Sequence, residues 1–140
     1  MTRIDFYILN DPALEARSQF AVKLAEKLYR NALKVHLHSD DSVTLHKLDE
    51  RLWTARDVSF IPHEISATPQ PHCPLTLSIE NFSGTEGVLI NMGSTVPDFF
   101  SHFTRVVEII NAQAPDVGDG RKRYRFYRDR GYKLNNHEIN

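Results

Sequence analysis

The first fifty residues alternate two kinds of apolar pattern, and that alternation restricts the fold more than any other feature of the chain. Arg3 to Leu9, RIDFYIL, is short, β-branched and aromatic, the composition of a buried strand. Asn10-Asp11-Pro12 follows as a helix start, with Asp11 as N-cap and Pro12 in the first helical position. From Leu14 to Arg30, Phe20, Leu24 and Leu28 recur every fourth position with Ala21 and Ala25 beside them, which predicts an amphipathic helix. Leu33 to His38, LKVHLH, is a second strand. Ser39-Asp40-Asp41 then caps a second helix whose inner face is Leu45, Leu48 and Leu52 and which ends at Trp53. The order β-α-β-α favours a parallel sheet with right-handed crossovers.

The later segments are less regular. RDVSFIPHEI reads as a loop or short helical turn, and SATPQPHCP as a Pro-rich connector inside the domain. LTLSI (Leu75 to Ile79) and GVLINM (Gly87 to Met92) are two further strands around a turn at Asn81 to Gly84. STVPDFFSHFTRVVEIINA predicts a helix, because Phe99, Phe103, Val106 and Ile110 share one face at heptad-like spacing. A turn from Pro115 to Gly120 leads into a last helix. With 140 residues the chain suits one domain, and a core of that size needs no disulfide or metal. The expected architecture is a single three-layer α/β domain over residues 1–140, with a mostly parallel central sheet flanked by helices.

Several classes of chemistry are disfavoured. A strand-to-helix turn that cradles phosphate needs glycines, so that the backbone turns tightly and aims its amides at the anion. Here the turn is LNDPALEA, neither the dinucleotide nor the P-loop glycine pattern occurs, and Asp11 repels phosphate. His36 and His38 alternate on one strand, and His72 adjoins Cys73, but neither set has the spacing of a zinc site. The histidine pair reads as surface residues at a strand end. Cys73 is the single cysteine, so it forms no internal disulfide, and it lacks the environment of a nucleophile. No catalytic motif, cofactor or metal is expected. The N-terminus lacks the pattern of a signal peptide, and no apolar run approaches the roughly 20 residues that span a bilayer. The chain reads as soluble, cytosolic and without a membrane partner.

One segment stands apart. Arg121 to Lys133, RKRYRFYRDRGYK, holds seven Lys/Arg against the single acid Asp129, in a chain whose net charge is −1; the remainder therefore carries −7. Projected at about 100° per residue, Arg121, Tyr124, Arg125 and Arg128 fall on one side, and Arg123, Phe126, Tyr127 and Arg130 on the other. Guanidinium forks hold carboxylates and phosphates two bonds at a time. Three readings fit: a solvated helix paired with the acidic remainder, a single-stranded nucleic-acid site with bases on Tyr, and a dock for a short acidic peptide. The net negative charge elsewhere opposes a long polyanion more than a compact peptide. A second feature is RLWTARDVSFIPHE, where Trp53, Phe60 and Ile61 lie around a helix end. They either anchor a protein partner or cover the edge of the domain's own core.

Taken in order, FYIL at the first strand, LDERLWT leading into SFIPHE, DFFSHFTRVVEII, and the ending RYRFYRDRGYKLN resemble the chi subunit family of bacterial DNA polymerase III over nearly the whole length. The resemblance implies a non-catalytic accessory subunit of the clamp-loader assembly, acting in the cytoplasm at the replisome. It implies a heterodimer with the psi subunit, which tethers it to the loader. It also implies capture of the acidic C-terminal tail of single-stranded DNA-binding protein, with little or no direct binding of nucleic acid. The fold implied is a nucleotide-binding-like α/β fold without a phosphate loop. By position, the family's tail-binding site falls on Arg121, Tyr124 and Arg125, with Ile110 as the apolar contact for the tail's last residue. The helix projection adds Arg128. The family's partner surface falls on Trp53, Phe60 and Pro62. Where this chain has Arg125 the family also uses Lys, which keeps the charge but not the two-pronged geometry.

Overall fold

A computed structural model of the chain describes residues 2–54 and 61–139. The strand read at the N-terminus is β1 (Arg3–Leu9), followed by α1 (Ala16–Arg30), β2 (Val35–His38) and α2 (Ser42–Thr54). Next come three short strands, β3 (His63–Ile65), β4 (Leu75–Ser78) and β5 (Val88–Asn91), then a 3-10 turn at Asp98–His102. The chain closes with β6 (Arg105–Asn111), α3 (Val117–Asp129) and β7 (Leu134–Ile139). The seven described strands form one sheet in the order β3-β4-β2-β5-β6-β1-β7, and every neighbouring pair is parallel.

The sheet has a helical layer on each side. α1 and α2 cover one face: Ala21, Leu24, Leu28, Leu45, Leu48 and Leu52 pack on Leu37, Leu77, Ile90 and Ile109. α3 and the 3-10 turn cover the other, where Phe99, Phe100, Phe103 and Tyr127 pack on Ile4, Phe6, Leu89 and Val106. The three-layer α/β architecture read from the sequence is therefore the one observed, with a sheet that is parallel throughout its described strands.

Five local expectations need correction. The Phe-rich segment is not a helix but a 3-10 turn followed by the central strand β6. A strand buried on both faces has no alternation to betray it, and Val106, Val107, Ile109 and Ile110 are all buried and mostly β-branched. Asp11 does not cap α1: its Oδ1 accepts from the amide of Ala13 in a turn that precedes the helix. Asp41 does cap α2, accepting from the amides of Val43 and Thr44 at 3.2 and 3.3 Å. β3 falls where a loop was expected, and β7 extends the chain beyond the basic helix. His36 and His38 are not surface residues, because β2 lies inside a covered sheet and both are buried. His36 stacks on Phe82 at 3.8 Å and shares a 2.7 Å hydrogen bond with the Thr76 hydroxyl.

In open parallel sheets ligands sit outside the carboxyl ends of adjacent strands whose connections leave in opposite directions. Here β1 and β6 meet that description, since α1 and α3 depart to opposite faces. The side chain of Asn111 bridges the gap. Its Oδ1 accepts from the amides of Asp11 and Gln113, both at 3.2 Å, and its Nδ2 donates to the Asp11 carbonyl at 2.9 Å. Gln113 Nε2 also donates to Asn10 Oδ1. Where a nucleotide phosphate would rest, the chain hydrogen-bonds to itself.

Candidate functional site

The basic segment forms α3, and what it rests on decides which of its cations are free. In the first turn Gly120 meets Ile110 of β6; a Cβ there would stand 2.8 Å from Ile110 Cγ1, so only glycine lets the helix come this close. One turn on, Arg123 reaches beneath the helix to Glu108, Nε donating to Oε1 at 2.8 Å, with both side chains out of solvent. Tyr127 donates its hydroxyl to Glu108 Oε2 at 2.7 Å, and Asn91 Nδ2 donates to the same oxygen at 2.8 Å. Burial, and then the charge of Glu108, push the Tyr127 phenol well above its ordinary pKa, so it stays a donor. Arg123 also donates to the carbonyls of Ser94 and Ile109. Arg17 of α1 donates to Ile109 O from the other face at 2.9 Å.

With Arg123 held inside, the exposed side of α3 is sorted. Tyr124 packs edge-on against Phe6 at 4.9 Å and accepts from Asn136 Nδ2 of β7 at 3.2 Å. Arg121 and Arg125 flank it, both exposed, and neither makes an ion pair or side-chain hydrogen bond among the described residues. Arg128 continues the row and touches only its neighbour Asp129, at 3.2 Å on the surface. On the far side Arg130 lies over the Phe126 ring at 3.6 Å, so that ring is covered. The structure thus brings Arg121, Tyr124, Arg125 and Arg128 to one side of the helix, with Ile110 under the same helix beneath Gly120.

The second set lies at the opposite end of the sheet. Trp53, in the last turn of α2, is 58% exposed and meets His63 of β3 edge-on at 4.8 Å. Pro62 is half-buried just before β3, and Phe60 lies outside the described residues. Ile65 and Ile79 are exposed as well. Ile61 is buried in the core beneath α1 and α2, so of the three apolar residues around this helix end it is one that covers the chain's own interior.

Sequence reasoning placed Arg123 on the side of the helix opposite Arg121 but gave it no buried role. The signal was present in RVVEIIN: an acid in the middle of an apolar run calls for a buried partner of opposite charge. Among the described residues no group of three or more His, Cys, Asp or Glu side chains is placed to hold a metal ion. None of the described helices is long and apolar enough to cross a membrane.

Comparison with known proteins gives one consistent result. The family model described as DNA polymerase III chi subunit, HolC, matches residues 1–135. The DNA polymerase III subunit chi of Pseudomonas aeruginosa is 36% identical over 140 residues, covering 99% of this chain and 98% of its own length. The subunits of the same name from Escherichia coli and Haemophilus influenzae are each 28% identical, with 96% of this chain covered in both cases and 97% and 95% of theirs. On a match of this extent, the chain belongs to the family of DNA polymerase III chi subunits.

Proposed function

We propose that the chain is a non-catalytic accessory subunit that links a DNA polymerase III clamp-loader assembly, through psi, to the acidic C-terminal tail of single-stranded DNA-binding protein in the cytoplasm. The observation that carries the reading is the sorting of α3. Arg121 and Arg125 stand exposed and unpaired on either side of Tyr124, in a protein that carries net negative charge elsewhere. A run of carboxylates supplies the missing partners. The terminal carboxylate lies between Arg121 and Arg125, and the last apolar side chain sits beside Tyr124, with Ile110 nearby under the first turn of α3. Such a contact forms and breaks quickly and weakens with salt. Several tails on one coated strand then add avidity through effective concentration. Psi is held by Trp53 and Pro62 at the other end of the sheet, together with Phe60, which the family resemblance adds.

Direct binding of single-stranded nucleic acid is disfavoured by the same sorting. Arg123 and Tyr127 are buried, Arg130 covers one face of the Phe126 ring, and Tyr124 packs on Phe6, so α3 offers no open row of rings for bases to stack on. Fluorescence anisotropy of a labelled acidic peptide ending in a free-carboxylate Phe tests the proposal, with labelled single-stranded oligonucleotide run in parallel. Peptide binding that disappears in Arg121→Ala and weakens with salt, alongside much weaker oligonucleotide binding, is the expected result. Tight oligonucleotide binding without peptide binding would overturn it.

A further inference from the structure

β7 closes one end of the sheet and is unlike its other strands. It pairs with β1 on one side, and among the described residues nothing pairs with its outer side. None of its six residues is buried, whereas the four residues of β2, β4 and β5 are buried throughout. A parallel edge strand turns the N–H and C=O groups of alternate residues outward, a template for a further strand.

Tyr124 ties the exposed side of α3 to that edge. α3 crosses from β6 above β1 to reach β7, and Tyr124 leans to the β7 side, where its hydroxyl meets Asn136. Arg123 and Tyr127 turn the other way, toward Glu108 and Asn91. At about 100° per residue, Arg128 and Arg121 follow Tyr124 round on the β7 side of the helix, and Arg125 beyond them faces solvent. On the opposite face, Arg3, Lys133 and His137 line a groove along the start of the strand, around an Asp5 carboxylate already held by Arg3 and Arg105. Glu138 is the one acid that β7 itself presents.

We propose that the acidic peptide is held as an added strand on the outer edge of β7, beneath the arginine side of α3. This rests on the reading of α3 as a tail-binding helix and adds how the peptide's backbone is held. Successive side chains of an extended strand point to opposite faces. Consecutive acids therefore meet Arg121 and Arg128 on one face and Lys133 on the other. A helix-bound acidic peptide would use only the first row; the edge makes both rows useful.

The test is an N-methyl scan of a short acidic peptide with a free terminal carboxylate, one backbone nitrogen at a time, read by anisotropy at low salt. Methylation removes a backbone donor and keeps every side chain. Affinity should fall about tenfold at every second position, the loss of one well-placed hydrogen bond, and stay level at the positions between. Amide hydrogen exchange at alternate residues of β7 should slow at saturating peptide. Uniform tolerance of methylation, with the parent peptide still bound and β7 exchange unchanged, overturns strand addition and leaves the tail-binding reading standing. Failure of the parent peptide to bind overturns both.

Discussion

Arg123 of α3 and Glu108 of β6 form an ion pair at 2.8 Å in which neither side chain reaches solvent, and Tyr127 and Asn91 complete the carboxylate's hydrogen bonding. That cluster, rather than a broad apolar face, fixes the roll of the helix about its own axis. A satisfied buried pair contributes little beyond what apolar residues would, but removing one partner strands a charge. Arg123→Ala should therefore cost about 3–5 kcal/mol in urea unfolding. Arg121→Ala, two residues away on the surface, should stay within about 0.5 kcal/mol. The double replacement Arg123→Met with Glu108→Leu should recover part of the loss. Equal costs for Arg121→Ala and Arg123→Ala would show that the pair does not hold the helix.

The surface arginines should behave in the opposite way. Arg125→Lys keeps the charge and loses the fork, so peptide affinity should fall several-fold, and Arg125→Ala should lower it by about tenfold or more. Thermal unfolding midpoints of both variants should match the parent. A variant that loses binding together with stability would point to a folding defect instead of a recognition defect.

Gly120 offers a test of how closely α3 must approach the sheet. Alanine there places a methyl 2.8 Å from Ile110 Cγ1, on a β-branched side chain with little freedom to turn aside. Overpacking of this kind costs about 1–3 kcal/mol, and it also lifts the first turn that carries Arg121. Gly120→Ala should weaken both stability and peptide binding, and Ile110→Ala in the same chain should relieve the overpacking without restoring the binding. No effect of Gly120→Ala on either reading would mean that the contact relaxes freely.

Acid should destabilise the fold through β2. Burial, and then the neighbouring charge of His38, push the ionisation of His36 down from 6.5 to about 3. Between those values the unfolded chain binds a proton that the folded chain refuses. The contribution is complete above about pH 6.5 and is lost as pH falls toward 3, by roughly 5 kcal/mol at the limit. Urea midpoints measured from pH 7 to pH 4 should fall, and His36→Leu should flatten the slope even if its stability at pH 7 is lower. An unchanged slope would place the proton uptake on other groups.

At the other edge, Trp53→Ala should abolish binding of psi with little change in unfolding midpoint, because the ring is mostly exposed. Retention of psi binding with a large loss of stability would make Trp53 a cover for its own core.

The elements that the sequence disclosed are those with one wet face. α1 and α2 carry Phe20, Leu24, Leu28 and Leu45, Leu48, Leu52 at helical spacing because their outer sides meet water. β6 hid because both its faces are covered, and the Phe residues before it happened to continue a helical period. β7 hid for the reverse reason: LNNHEI is polar, and it is a strand only because β1 pairs with it. At the site, the helical projection separated Arg121, Tyr124, Arg125 and Arg128 from Arg123 and Tyr127, which the structure places on opposite sides. Periodicity could not tell that Arg123 faces inward, since that depends on a carboxylate, Glu108, supplied by the strand the helix packs on. The histidines of β2 were misread because their burial comes from Phe82 and Phe99, far along the chain.

The strand order has a mechanical consequence. Trp53 and Pro62 stand beside β3, and Tyr124 of α3 is tied to β7, the two ends of one sheet whose seven described strands at a spacing of about 4.8 Å set those edges roughly 29 Å apart. A pull between partners attached there runs along the inter-strand hydrogen bonds, across the strands instead of down their length. Bonds loaded in that direction open one after another, as a zipper does, whereas strands drawn lengthwise share the load over a whole ladder. The molecule is softest along the line on which its two contacts would tug. A weak contact at one edge then serves as a mechanical fuse, releasing before the sheet between them begins to part.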